Sequence, residues 1–457
     1  MISALALAAL LPLIPAEGPA VVVFGGGSDA SSTPASVEDH VLALVKALAR
    51  TKPAILFNDG KPDARSVQVY DEVPDRTGAW LGRVLGNDAN VGVLYRVPRV
   101  TGFGAATPSG VLGAIAKASR SSRGAIVIGA GHGRPKDGDH PAAIMLWADG
   151  ALTARDLAAK LDAEKPKGPL ALVLGQCHSG AMTEVMHVGA DPAEALARPA
   201  RCVLAAAPAD RTAAGCTPDG TDPDARAYLS LIAAALGGAS GADMDKNGRV
   251  SLAEAHAYAL LNDDTVDLPV KSSETWLQAV LGSDDAPDFT KAVVLARARP
   301  EAKWVLEKLG RPELDMPLAL RELDDMEEKL RLVESSIEPL ESQRDDALDG
   351  LRREVLARWP ELASPYQKTS RALLGSKADE IARSIEGSPS AATVIALDAR
   401  IARLDESYDT LEKQAVKLER WIGAYEAVAR EIALRKHGTK RQIEMLTAIL
   451  ACEGLEP

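Results

Sequence analysis

The sequence predicts an α/β domain, built on a mostly parallel sheet with helices on both faces, followed by an α-helical, coiled-coil-like C-terminal region. Three observations lead there. Over residues 19–285, short apolar runs alternate with amphipathic helical stretches, the pattern of strands joined by crossover helices. Ala125–Ile128 and Leu170–Leu174 are apolar at every position, which suits strands buried on both faces. From residue 316 onward the chain is highly charged, with apolar residues every three or four positions.

The elements follow in order. Met1–Ala16 is apolar and short, the form of a secretory signal h-region cleaved after Ala16, although no Lys or Arg precedes it. On that reading residues 1–18 are a signal peptide and the protein is exported to the periplasm or outside the cell; otherwise it is cytoplasmic. No later apolar run approaches the ~20 residues of a membrane span, so no transmembrane anchor is expected. Ala20–Phe24 reads as the first strand and Gly25–Ser32 as a flexible turn. A helix over Val37–Leu48 and strands at Ala54–Phe57 and Val91–Tyr95 come next, then a helix over Gly110–Ala118. Beyond the run at Ala125–Ile128 come a helix at Thr153–Leu161, the run at Leu170–Leu174, a strand at Arg201–Ala207 and a helix at Ala225–Leu236. The Gly25–Gly27 turn lacks the G-x-G-x-x-G spacing and the closing Lys-Ser/Thr of nucleotide loops, so no organic cofactor is expected.

Residues 286–315 read as a linker. Within 316–457, Leu320, Leu323, Met326, Leu330, Val333, Ile337 and Leu340 form one stripe, and Leu397, Ile401, Leu404, Tyr408, Leu411, Ala415, Leu418, Ile422 and Tyr425 another. Pro339 should kink or break the first helix. Residues 359–390, with Pro360, Pro365, Gly375, Gly387 and Pro389, interrupt the pattern. Two such helices suggest an antiparallel hairpin that serves a protein partner or self-association.

A net charge of −12 and 4% aromatic residues argue against a nucleic-acid partner. Four cysteines without a C-x-x-C pair exclude a zinc ribbon or thioredoxin motif. Cys202 and Cys216 could pair in an exported protein, but the simpler reading leaves both free.

The chemistry concentrates in two stretches, Gly124-Ala-Ile-Val-Ile-Gly-Ala-Gly-His132-Gly133 and Leu170-Ala-Leu-Val-Leu-Gly-Gln-Cys177-His-Ser-Gly180. Each is an apolar strand running into a small-residue turn, and sites in open α/β sheets lie beyond such strand ends. A thiolate is the reactive form of cysteine, and a neighbouring imidazole can take its proton and later protonate a leaving amine. The flanking glycines admit a substrate backbone, and the N–H groups of Gly133 and Cys177 are natural donors to an oxyanion. His132 is therefore the expected general acid/base and Cys177 the nucleophile. His178 reads as structural, His140 and His187 lack motif support, and Asp149, Asp156, Asp210 and Arg211 read as surface charges.

A second motif, Asp243-Met-Asp245-Lys-Asn247-Gly248-Arg249-Val-Ser-Leu-Ala-Glu254, matches the EF-hand loop. Asp243, Asp245, Asn247, the Arg249 carbonyl and Glu254 would ligate Ca2+. The role expected for the ion is structural, with regulation left open, and a helix over Ser251–Leu261 leaves the loop.

The His132-Gly133 and Gln176-Cys177-His178-Ser179-Gly180 motifs resemble the caspase–legumain clan of cysteine peptidases. Their separation is similar to the roughly 50 residues between the caspase pair. The Cys-His-Ser-Gly run is most similar to metacaspases, whereas Val22-Val-Phe-Gly-Gly-Gly27 and Ser36-Val-Glu-Asp-His-Val41 look more like bacterial relatives of legumain. The resemblance spans roughly residues 20–285 and implies a caspase-like fold, a Cys–His dyad, an acyl-enzyme and hydrolysis of peptide bonds in a protein or peptide substrate. It also implies that calcium can regulate and that the loop around 207–224 can be cleaved in maturation. Two positions before the nucleophile, metacaspases carry an acid and caspases a glutamine that read the substrate; Gly175 stands there, so no cleavage preference carries over. Ligation or transpeptidation would use the same dyad, and an inactive caspase-like scaffold working through its C-terminal helices is the alternative from another class.

Overall fold

The computed structural model describes residues 18–70, 76–85, 93–214, 227–282, 287–364 and 367–457. The expected signal segment, Cys216 and much of the expected maturation loop lie outside them. The strands are β1 (Ala20–Gly25), β2 (Ala54–Phe57), β3 (Val67–Tyr70), β4 (Val93–Arg96), β5 (Ala125–Gly129), β6 (Gly133–Arg134), β7 (Ala143–Leu146), β8 (Gly150–Thr153), β9 (Leu170–Leu174), β10 (Arg201–Ala205) and β11 (Val270–Lys271). The helices of the first half are α1 (Ala35–Ala47), α2 (Arg76–Leu85), α3 (Pro108–Ala118), α4 (Ala154–Glu164), α5 (Tyr228–Leu236), α6 (Leu252–Asn262) and α7 (Ser272–Leu281). Those of the second are α8 (Lys291–Arg297), α9 (Pro300–Leu309), α10 (Met316–Arg358), α11 (Lys368–Glu386), α12 (Pro389–His437) and α13 (Lys440–Glu453).

The main sheet has the order β11-β10-β9-β5-β1-β2, parallel throughout except for β11. This is the mixed α/β, mostly parallel architecture expected. Two small antiparallel sheets, β3-β4 and β6-β7-β8, flank it. The expected strand at Val91–Tyr95 corresponds to β4 and belongs to one of these small sheets.

Strand residues alternate between two cores. Val21, Val23, Ile126, Ile128, Ala171 and Val173 pack with α1, α5 and α6. Val22, Phe24, Val127, Leu170, Leu172 and Leu174 pack with α3 and α4. Burial on both faces is why these strands read as unbroken apolar runs. Local signals start the covering helices: Pro108 follows the Thr107 cap of α3, and Thr153 and Asp156 form a capping box on α4. The strand order reverses between β1 and β5, and such a reversal opens a crevice at the carboxyl ends.

The C-terminal helices pack along the α/β domain. Glu354, near the end of α10, accepts the hydroxyls of Ser388 and Ser390 at the start of α12, at 2.6 and 2.8 Å. Ala319 at the other end of α10 shares a core with Leu418, Trp421 and Ile422, so the two helices are antiparallel. Helix α10 runs through Pro339 without ending, so of the expected kink or break the break does not occur. Its long contact with α12 outweighs a backbone penalty of about 3 kcal/mol. The stretch 359–390 is helical for most of its length, and the expected linker carries α8 and α9, whose Val294 and Leu306 are buried against Trp421.

Cys202 is disulfide-bonded to Cys452, so it is neither free nor paired with Cys216. Because the partner lies 250 residues away, local spacing carries no trace of it. The bond ties β10 to α13, beside the buried Glu453 carboxylate, which accepts from the Ser273 N–H and hydroxyl at 2.7 and 2.8 Å. Closing so long a loop stabilises the fold by about 5 kcal/mol in the chain-entropy view. Reduction, or Cys452→Ser, should therefore lower the thermal midpoint by about 5 °C or more, read by calorimetry with and without reductant.

Candidate functional site

Register places the two motifs singled out in the sequence. Gly129 on β5 is paired with Leu174 on β9, and His132 and Cys177 each stand three residues beyond that pair. The Gly175 N–H donates to the Gly129 carbonyl at 3.1 Å, extending the pairing past the strands. Gly133 then lies against Cys177, since a Cβ there would come within 1.8 Å of the Cys177 carbonyl oxygen. No other residue type fits without moving that backbone. The Met145 N–H donates to the His132 carbonyl at 2.9 Å, so β7 holds the turn from behind. Gly131, at φ +133°, lies on the Gly26 carbonyl, which brings the first glycine turn to the same place.

Cys177 is half-buried. Its Sγ accepts the Ala213 N–H at 3.2 Å and lies 3.6 Å from the Ala213 carbonyl. The N–H, which is the nearer group, favours the thiolate, and the carbonyl, which accepts from the thiol, favours the protonated form, so the placement of Ala213 sets the balance at the sulfur. His132 Nε2 is covered and has no hydrogen-bond partner among the described residues. The structure thus brings His132, Gly133 and Cys177 to one strand-end crevice.

The remaining residues separate. His178 adopts φ +58° and its Nδ1 pairs with the Ala209 carbonyl at 3.0 Å, in keeping with a structural role. Asp156 caps α4 and Arg211 pairs with Glu419 at 2.7 Å. Gly175 has a steric reason: a Cβ would meet Leu229 Cδ1 at 2.3 Å, so α5 occupies the space that a substrate-reading side chain would need.

Three residues beside the site give no sequence signal. Asp267 and Asp263, past α6, are fully buried together with Arg420 of α12. Asp267 accepts the Ala214 N–H at 2.5 Å, next to the residue that contacts Cys177. Burial, reinforced by the neighbouring Asp263 charge, pushes the Asp267 carboxyl up to about 7. Asp263 is raised and Arg420 lowered, because burial disfavours both charges more than their mutual attraction restores them.

The loop at 243–254 gathers three of its expected metal ligands. The carboxylates of Asp243, Asp245 and Glu254 lie within 4.8 Å of one another, and Gly248 takes φ +88° at the sharp turn. Asp243 accepts the N–H groups of Asn247 and Gly248 at 3.0 and 2.9 Å, and Asn247 Oδ1 accepts that of Arg249 at 2.8 Å. Glu254 also closes a capping box with Ser251 on α6. An oxygen-only set of this kind suits a hard cation.

No family model matches the chain, and no curated protein matches it.

The buried Asp267 carboxyl makes stability depend on pH. The folded state keeps its proton up to about 7, whereas an ordinary carboxyl loses it near 3.8. Between those values the folded state binds more protons, so stability falls as pH rises. Asp267→Asn should flatten that decline by about 2–4 kcal/mol, measured by urea unfolding across the window. An unchanged slope would contradict this assignment.

Proposed function

We propose that the protein is a caspase/legumain-like cysteine endopeptidase using a Cys177–His132 dyad. The observation that carries the reading is the in-register β5–β9 pair, which sets Gly133 on the Cys177 backbone and carries His132 to the same strand end, its Nε2 covered and without a hydrogen-bond partner among the described residues. In this reading the Cys177 thiolate attacks the scissile carbonyl carbon and the oxyanion forms against the N–H groups of Gly133 and Cys177. His132 protonates the departing amine, leaving a thioester on Cys177. Water, deprotonated by His132, then attacks the thioester, and the acid product leaves as the thiol is restored.

Calcium is proposed at Asp243, Asp245, Asn247, the Arg249 carbonyl and Glu254. The C-terminal tail rests on this loop, with the Leu455 carbonyl accepting the Leu252 N–H at 3.0 Å and Glu456 pairing with Arg249 at 3.0 Å. That contact supports a structural role for the ion. Export is supported by the Cys202–Cys452 disulfide, which suits an oxidising compartment. Among the described residues no helix is long and apolar enough to cross a membrane.

Peptide-library hydrolysis tests the reading. Cys177→Ala should abolish turnover, and His132→Ala should reduce it by about 10²–10⁴-fold. Turnover that survives Cys177→Ala would sink the peptidase assignment. Inactivity of a correctly folded wild type towards the whole library, with and without calcium, would favour the scaffold alternative. Aminolysis products formed with added amine would identify ligation. Calcium should raise the melting temperature of the wild type by several degrees and leave Asp243→Ala unmoved.

A further inference from the structure

Two consecutive residues of α12 grip the segment that lies on the nucleophile. Glu419 pairs with Arg211 at 2.7 Å, and the Arg211 carbonyl accepts the His178 N–H at 2.9 Å. The Arg420 side chain is 1% exposed and fans across the turn after α6. It donates to the carbonyls of Asp263 at 2.7 Å, Thr265 at 3.0 Å and Asp267 at 2.6 and 2.9 Å. Asp267 in turn holds the Ala214 N–H at 2.5 Å. Residues 211–214 are therefore held at both ends by one turn of α12, and between those ends the Ala213 N–H meets Cys177 Sγ at 3.2 Å.

We propose that Glu419 and Arg420 are positioning residues for Cys177, keeping the Ala213 N–H on the sulfur and so favouring the thiolate. The consequence for turnover rests on the peptidase reading; the geometry does not. A planar guanidinium can bond several carbonyls in a fixed fork, which a lysine ammonium cannot reproduce. Burying it brings little net stability, because desolvation offsets the attraction to Asp263. What the contact secures is the placement of one backbone donor, and a donor to an ionised sulfur counts for more than one to a neutral acceptor. Among the described residues, the other ionisable groups around this segment include His40 and Asp267, which line one cavity with Ala214, Glu412, whose charge acts on Arg211, and His132 and His178.

The test is the pH dependence of Cys177 alkylation by iodoacetamide, followed by mass spectrometry on the peptide that contains it. Glu419→Gln and Arg420→Lys should each move the alkylation profile to higher pH and slow the reaction at neutral pH by up to about tenfold. Where peptide turnover is measurable, kcat should fall in similar proportion with KM little changed. Asp398→Asn, which breaks the separate 2.7 Å pair between α12 and Arg83, should leave the profile in place. A Glu419→Gln protein with native melting and an unmoved profile overturns the proposal, whatever Arg420→Lys does. An equal shift in Asp398→Asn overturns it too, because general loosening of α12 would then suffice. A shifted profile in a protein without turnover would uphold the positioning and count against the peptidase reading alone.

Discussion

The pairing of β5 with β9 is the constraint on which the site depends. Both strands are buried on both faces, so a slip of one residue would turn every side chain toward the wrong core. That penalty pins Gly129 opposite Leu174, and equal offsets then carry His132 and Cys177 to the same height above the sheet. The glycines complete the arrangement. Gly133 and Gly131 let three turns approach one another more closely than any Cβ would permit. Strong burial in the sheet thus fixes a geometry that the loops alone could not hold.

The C-terminal helices belong to the same structure. They join the α/β domain through the Cys202–Cys452 disulfide, the Glu453–Ser273 bonds, an apolar contact of Leu81 and Val84 with Leu351 and Val355, and Arg420. These ties differ in physical kind and act at separate places. The apolar contact contributes non-directional burial, the disulfide restricts the unfolded chain, and the guanidinium fixes direction. A region that reads in sequence as an appended hairpin therefore reaches the loop beside Cys177.

What was legible in the sequence was local. Leu170–Leu174 announced itself because double burial leaves no polar residue in a central strand. The loop at Asp243–Glu254 was legible because all its candidate ligands lie within one turn of chain. The antiparallel β6-β7-β8 sheet was missed because strands of two to four residues are too short to display alternation. Pro339 does not end its helix because its local cost is set against a long packed partner. Cys452 and Arg420 were invisible for a shared reason: their partners lie more than 150 positions away, and Arg420 bonds mainly backbone carbonyls, which carry no residue identity. The space beside Gly175 was equally hidden, since only the fold brings Leu229 into it.

The central claim is that Cys177 becomes acylated with the help of His132. Rapid acid quench of the protein mixed with an activated peptide ester, followed by peptide mapping, tests it most directly. The account predicts an acyl group on Cys177 that forms within the first turnover, decays on dilution into buffer and is greatly reduced in His132→Ala. Acylation at another residue, or at Cys177 at the same rate without His132, would contradict it.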